Sequence, residues 1–205
     1  VCVDGPAGVL EAALDAVAAS SSRFLCVACH PHPLQAGTMH NKVVTTITRS
    51  VARFGGTCLR FNYRGVGRSA GSYDGERGEL DDALAAIEWL RASRGAELPL
   101  VIAGFSFGGA IAWRAAAAVD AAALITVAPA HARIPATDSG TGLPRWLLVH
   151  GDDDDVISVG GVLEWAASHE PEPQIERFAE TGHFFHGRLP QLADTVTGFL
   201  QRVGV

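Results

Sequence analysis

The sequence predicts an α/β domain with a mostly parallel sheet of about seven or eight strands and helices on both faces. Short apolar runs alternate with longer segments of helical periodicity, the order produced by parallel strands joined through crossover helices. These runs are apolar throughout rather than at every second residue, as in strands that are covered on both faces. A length of 205 residues suits one domain spanning residues 1–205.

The first segment differs from the rest of the chain. Residues 1–4 and 9–14 flank the turn Gly5-Pro6-Ala7-Gly8, and this pattern predicts an antiparallel hairpin at one edge of the sheet. Downstream, the apolar runs predict strands at 24–29, 57–63, 98–103, 122–128, 145–150 and 174–178. Helical spacing predicts helices at 41–54, 79–94, 107–118, 160–169 and 191–203.

Composition and charge exclude several classes of protein. Apolar residues make up 48% of the chain and charged residues 19%, which predicts a packed core rather than disorder. The net charge of −6 argues against a nucleic-acid partner. No apolar run reaches 18 residues, so no membrane span is predicted. The only lysine, Lys42, lies in no phosphate-binding glycine motif, and its isolation disfavours Schiff-base chemistry.

The four cysteines are Cys2, Cys26, Cys29 and Cys58. Three of them lie in apolar runs, which favours buried free thiols over a disulfide framework. No basic and apolar leader is visible in the printed sequence. We therefore expect a cytoplasmic protein.

The strongest motif is Gly104-Phe105-Ser106-Phe107-Gly108, which lies between a predicted strand and a predicted helix. The pattern G-x-S-x-G in that context is typical of a nucleophile elbow, in which a strained turn exposes the serine hydroxyl above the sheet. The alternative is a tight glycine turn with an idle serine. We interpret Ser106 as a nucleophile.

A serine triad on this architecture takes its acid after a later strand. The strand 145–150 leads into four consecutive aspartates, residues 152–155. Two or three of them are expected to be a solvated turn. We favour Asp154, which is deep enough in the loop to point inward, and keep Asp153 and Asp155 as alternatives.

The base should follow the last strand, and His169, His183 and His186 are the histidines beyond Asp154. His169 is expected on the surface at a helix end. His183 is preferred over His186 because Gly182 should free the backbone to turn the imidazole over the sheet.

The oxyanion donors are expected from backbone N–H groups. One is that of Phe107, and the other comes from the loop after strand 24–29. Pro31 and Pro33 have no N–H, which leaves His32 or Leu34, and we prefer His32.

Other patterns in the sequence are weaker. Residues 26–30 match the haem-attachment pattern C-x-x-C-H, but their apolar character predicts a buried strand. His30 and His32 form an H-x-H pair of possible metal ligands, but no further acid or histidine follows closely enough to complete a metal site. Residues 64–71 differ by one residue from the dinucleotide-binding motif G-x-G-x-x-G. We interpret them as a flexible loop that closes one side of the site. No cofactor and no metal are predicted.

Together, segments 29–34, 37–44, 60–69, 104–108 and 182–189 resemble the α/β-hydrolase superfamily, in a compact, lidless bacterial branch related to dienelactone hydrolases. The resemblance covers nearly the whole chain. It implies a single-domain α/β-hydrolase fold and a triad at Ser106, Asp154 and His183. Dienelactone hydrolases use a cysteine nucleophile, and Ser106 departs from that pattern.

The sequence predicts a serine hydrolase acting on small carboxylic esters or thioesters. The alternatives are an acyltransferase that uses the same acyl-enzyme and a catalytically silent binding protein with this fold. Only 16 residues, 129–144, separate two of the predicted strands at the usual position of a cap, so no lid is expected.

Overall fold

The computed structural model describes residues 1–16, 22–138, 140 and 142–205. Among these residues, eight strands form one sheet. The strands are β1 Cys2–Gly5, β2 Gly8–Ala16, β3 Phe24–Cys29, β4 Gly56–Phe61, β5 Leu100–Phe105, β6 Ala123–Val127, β7 Arg145–Gly151 and β8 Gln174–Phe178. Their order across the sheet is β1-β2-β4-β3-β5-β6-β7-β8.

The sheet is antiparallel at one edge and parallel elsewhere. Strands β1 and β2 form the predicted hairpin, and β2 runs antiparallel to β4. From β4 to β8 all neighbouring strands are parallel. The carboxyl ends of these six strands therefore meet at one edge of the sheet, which is where sites form in such folds.

In the part of the chain that the structure describes, five α-helices cover both faces of the sheet, as predicted. They are α1 Lys42–Arg53, α2 Arg77–Arg94, α3 Phe107–Ala118, α4 Val159–Ala166 and α5 Leu189–Val203. Residues of α1 and α5 share one apolar core, and residues of α2, α3 and α4 share the other.

Strand β3 shows why the runs are apolar throughout. Phe24 and Cys26 lie in the core under α1 and α5, whereas Leu25 and Val27 lie in the core on the other face. All four are fully buried. Removing a large apolar side chain such as Phe24 or Leu25 from water stabilises the fold by about 1.5–3 kcal/mol.

Helix α2 begins at Arg77, two residues before its predicted start, because Glu79 is not its first residue but lies in its first turn and caps it. The buried Glu79 carboxylate accepts hydrogen bonds from the backbone N–H groups of Asp74 and Glu76, at 3.0 and 2.8 Å. This is a capping box at the third helical position.

The expectation that His169 lies on the surface is wrong. Helix α4 ends at Ala166, and the chain then turns the imidazole inward, leaving it 6% exposed. The ring packs against Trp113, Trp146 and Trp165, and its Nδ1–H donates to the Trp165 carbonyl oxygen at 2.8 Å.

The segment between β6 and β7 is short, as expected. In its described residues the regular structure is a single 3₁₀ turn, His131–Arg133, and no cap domain covers the carboxyl edge of the sheet. The prediction of a lidless fold is confirmed. No helix in the described ranges is both long and apolar enough to span a bilayer.

Candidate active site

The turn between β5 and α3 holds Ser106 in a backbone conformation that side chains rarely adopt, with φ at +56°. Four backbone hydrogen bonds hold this conformation in place. The Ser106 N–H donates to the Val127 carbonyl at 2.9 Å, and the Ser106 carbonyl accepts from the N–H groups of Gly109, Ala110 and Ala130 at 2.9, 3.3 and 3.0 Å. Strain held in place in this way is typical of functional turns.

Both glycines of the motif are required by close backbone contacts. A Cβ on Gly104 would lie 1.9 Å from the Gly108 carbonyl oxygen, and a Cβ on Gly108 would lie 2.3 Å from the Cys29 carbonyl oxygen. No side chain fits at either position. The glycines therefore let the turn pack directly onto the end of β3.

The structure brings the three predicted triad residues together. His183 Nε2 lies 3.0 Å from Ser106 Oγ, and His183 Nδ1 lies 2.8 Å from Asp154 Oδ2. Ser106 is 9% exposed and His183 4% exposed. The imidazole can thus accept a proton from the hydroxyl on one side while donating to the carboxylate on the other.

Asp154 is the one of the four aspartates that points inward. Its carboxylate is fully buried, and Oδ1 accepts from the N–H groups of Val156 and Ile157 at 2.9 and 2.7 Å. Burial by itself would raise the pKa of Asp154. The His183 hydrogen bond and the two backbone N–H groups outweigh burial and hold that pKa below its usual value, so the carboxylate stays ionised.

The other three aspartates lie on the outer side of the same loop. Asp153 and Asp155 are exposed, and Asp152 pairs with Arg177 at 2.7 Å near the surface. This is the solvated turn that four consecutive acids predict.

His183 and His186 occupy different environments. The His183 ring packs 5.0 Å from Phe105 and 5.2 Å from Phe184, between centroids. His186 is exposed, with its ring 6.0 Å from that of Phe184, and it lines a surface cavity of about 340 Å³ together with Lys42. The structure therefore places His183, rather than His186, against Ser106.

The sequence suggests that Gly182 frees the backbone to turn at His183, but Gly182 does not have a positive φ. Positive φ occurs in this loop at Glu180, +52°, at Phe185, +53°, and at Gly187, +74°. The Phe185 side chain is fully buried and anchors the loop. Thr181 also accepts a hydrogen bond from the Asp153 N–H at 3.1 Å, which ties the base loop to the acid loop.

His30 organises the loop after β3, a role that the sequence leaves open. Its ring is fully buried, with Nδ1 2.6 Å from the Pro31 carbonyl oxygen and Nε2 accepting from the Tyr63 N–H at 3.1 Å. Burial lowers the pKa of His30 to about 3, so the ring is neutral. Both ring nitrogens are engaged, which removes His30 from any ligand pair with His32.

The loop after β3 then brings His32 against the first residue of α3. His32 Nδ1 accepts from the Leu34 N–H at 3.2 Å, which occupies that alternative donor. The His32 ring packs 4.9 Å from that of Phe107, the first residue of α3. The first N–H groups of a helix have no intrahelical acceptor, so the Phe107 N–H is available. The arrangement favours His32 over Leu34.

Sequence reasoning missed the side chains that wall this region. The Tyr73 ring lies 5.2 Å from His32, and the Arg133 guanidinium lies 5.9 Å from the centre of the Phe107 ring. Arg133 also pairs with Glu76. No local motif marks these residues, because they meet only through the sheet topology.

The loop that the sequence suggests is flexible is anchored at its start. Arg64 Nη2 and Nε donate to the two oxygens of the buried Asp82 carboxylate at 2.8 and 3.1 Å, and the Arg64 N–H donates to the same group at 2.9 Å. Hydrogen bonding to Asp82 raises the pKa of Arg64, so the guanidinium in this pair stays charged.

Replacing Gly108 with alanine should destabilise the elbow. The new Cβ would overlap the Cys29 carbonyl, and we expect a loss of about 3 kcal/mol or more in the free energy of unfolding. Gly160→Ala is the control, because its Cβ would meet nothing closer than Ser158 Oγ at 3.8 Å, and its effect should stay within about 1 kcal/mol. Equal stability of the two variants in urea unfolding would contradict the close contact.

His30 should make the protein less stable in acid. Its pKa is about 3 in the folded state and about 6.5 in an unfolded chain, so between these values the unfolded state binds the extra proton. The free energy of unfolding should fall by up to about 1.4 kcal/mol per pH unit from this group as the pH drops from about 6.5 to 3. Urea unfolding across this range should give a shallower slope for His30→Gln, and identical slopes would refute the assignment.

Solved structures and a curated relative resemble the chain over nearly its whole length. A lidless α/β serine hydrolase from Xanthomonas campestris is 39% identical, with a TM-score of 0.91, covering 98% of this chain and 93% of that one. An α/β serine hydrolase homologue from Coxiella burnetii is 34% identical, with a TM-score of 0.90 and coverage of 98% and 96%. An uncharacterized protein of Rickettsia prowazekii is 30% identical over 96% of this chain and 86% of its own length.

The family model described as serine aminopeptidase, S33, matches residues 34–149. This range runs from the loop after β3 through the elbow to β7, the strand that precedes the four aspartates. The chain belongs to the serine aminopeptidase S33 family of the α/β-hydrolase superfamily.

Proposed function

We propose that the protein hydrolyses carboxylic ester or thioester bonds of small substrates through an acyl-enzyme on Ser106. The hydrogen-bonded chain from Ser106 through His183 to Asp154 carries the proposal, because its distances are those of an activated nucleophile. Membership in a serine hydrolase family supports it.

In the first half-reaction, Ser106 Oγ attacks the acyl carbon and gives its proton to His183 Nε2. Asp154 holds the imidazole through Nδ1–H and stabilises its positive charge. The tetrahedral oxyanion accepts hydrogen bonds from the backbone N–H groups of Phe107 and His32. His183 then protonates the departing alcohol or thiol as the acyl-enzyme forms.

In the second half-reaction, water attacks the acyl-enzyme. His183 removes its proton, and the acid is released as the Ser106 hydroxyl is restored. The three triad side chains and the two backbone N–H groups keep their positions throughout, so the reaction needs no large conformational change.

A small substrate suits the surroundings of the site. No cap domain covers it in the described residues. Exposed apolar side chains follow three strands at its rim: Leu34, Val156 and Phe184. They offer contact to an apolar group but do not enclose a long chain.

The proposed triad predicts a ranking of variants. Ser106→Ala and His183→Ala should each lower kcat by about 10⁴-fold or more, and the double variant should cost little beyond either, because triad members act as a unit. His186→Ala is the matched control and should lose less than about tenfold. Steady-state rates on 4-nitrophenyl acetate, with circular dichroism to check folding, measure these effects.

Two results would count against the proposal. Retention of most activity by a folded Ser106→Ala variant would show that Ser106 is not the nucleophile. A larger loss for His186→Ala than for His183→Ala would identify His186 as the base. If the wild-type protein turns over neither esters nor thioesters and a fluorophosphonate leaves Ser106 unlabelled, the hypothesis of a catalytically silent binding protein is favoured over that of a hydrolase.

The open rim predicts a preference for short acyl chains. For 4-nitrophenyl esters, kcat/KM should be at least about tenfold higher for the butyrate than for the laurate, a difference of about 1.4 kcal/mol. No jump in rate should accompany micelle formation by a long-chain substrate. Activation above the micelle threshold would show that a mobile cover regulates the site.

The family description also names peptide-bond cleavage. Comparing an acetyl ester with aminoacyl 4-nitroanilides under the same conditions separates the two chemistries. We expect the ester to react and the anilides to be turned over far more slowly.

A further inference from the structure

A second histidine lies behind the proposed triad. His150, near the end of β7, is fully buried, and its Nε2 is 3.4 Å from Asp154 Oδ2 and 3.0 Å from the Ile157 carbonyl oxygen. Neither the mechanism above nor the sequence motifs use this residue.

The neighbours of His150 settle its protonation. Both groups facing Nε2 are acceptors, since one is a carboxylate and the other a carbonyl, so Nε2 carries the proton. Nδ1 is also buried and meets no partner in the described ranges of the chain. Burial lowers the pKa of His150, which keeps the ring neutral and Nδ1 bare. An unpartnered buried nitrogen is unfavourable, and an apolar side chain of this size would avoid it.

The hydrogen bonds around Asp154 indicate what this histidine contributes. Asp154 Oδ1 accepts from two backbone N–H groups, and Oδ2 faces His183 Nδ1 on one side and His150 Nε2 on the other. The Nε2–H of His150 donates to the Ile157 carbonyl, and Ile157 in turn donates its N–H to Asp154 Oδ1; Asp154 Oδ2 lies 3.4 Å from the same nitrogen as a close polar contact rather than a hydrogen bond. His150 thus ties the end of β7 to the turn that holds the carboxylate.

We infer that His150 is a positioning residue that acts through Asp154, holding its carboxylate at the orientation His183 requires. This inference rests on the proposed function. It assigns His150 no contact with substrate. Its neutral N–H fixes the Ile157 turn, whose own N–H donates to Asp154 Oδ1, and adds no charge that would compete with the imidazolium of His183.

Three substitutions separate this role from packing. Gln can place an amide N–H₂ near the position of Nε2, whereas Asn is too short and Leu carries no donor. His150→Leu and His150→Asn should lower kcat by roughly 10–100-fold with KM within about twofold, since a small misplacement of a catalytic group costs up to about 10²-fold. His150→Gln should keep activity within about fivefold of wild type.

His169→Leu is the matched control, because His169 is another buried histidine, packed among three tryptophans away from Asp154. It should lower the melting temperature without changing kcat of the folded protein. Rates are measured well below the melting temperature of each variant. Equal losses of kcat in His150→Gln and His150→Leu would overturn the inference, as would full activity in both folded variants.

A double-mutant cycle tests whether His150 acts through Asp154. In an Asp154→Asn background, His150→Leu should cost less than about threefold more in kcat on an activated aryl ester, because the partner it positions has been changed. A further 10–100-fold loss would mean that His150 acts elsewhere. If Asp154→Asn and Ser106→Ala keep most of the wild-type activity, the proposed function fails; if both lose most of it but folded His150→Leu matches wild type, only this inference fails.

Discussion

The backbone of Gly108 lies so close to the Cys29 carbonyl that nothing larger than hydrogen fits between them. This contact joins the elbow after β5 to the end of β3, its neighbour in the sheet. It fixes Ser106 above the carboxyl edge and brings the first N–H of α3 beside the loop that His30 holds. The nucleophile and both expected oxyanion donors therefore depend on one close approach between two strand ends.

The second half of the site depends on burial. His183 and the Asp154 carboxylate are almost fully buried, and charge interactions are stronger there than in water. Burial also lowers the pKa values of His30, His32 and His150. These rings favour the neutral form and act as hydrogen-bonding groups, and the neutral His150 adds no positive charge beside Asp154.

Local sequence patterns were sufficient for most of the fold and for where the candidate site lies. Continuous apolar runs predicted a doubly covered sheet, because alternate residues of a strand such as β3 enter two different cores. The glycine pattern predicted the elbow at Ser106, and chain order directed attention to Asp154 and His183. The inward position of Asp154 follows from hydrogen bonds to residues only two and three positions away, which a local pattern can indicate.

The features that sequence reasoning missed depend on contacts between distant segments. His169 is buried because tryptophans from α3, β7 and α4 surround it, and two of the three are more than 20 residues away along the chain. His150 is a different case: Asp154 lies only four residues further along the chain, and their contact depends on how the loop after β7 folds back on the strand end. Arg64 finds Asp82 only once α2 has packed on the sheet.

The most direct test of the account is to trap the acyl-enzyme. The protein is mixed with excess 4-nitrophenyl ester, quenched in acid within milliseconds to seconds, and analysed by intact-mass and peptide mass spectrometry. We expect one acyl group per chain, on the peptide that contains Ser106, and no such adduct in Ser106→Ala. Steady turnover with no acyl adduct at any early time, or an adduct on another residue, would contradict it.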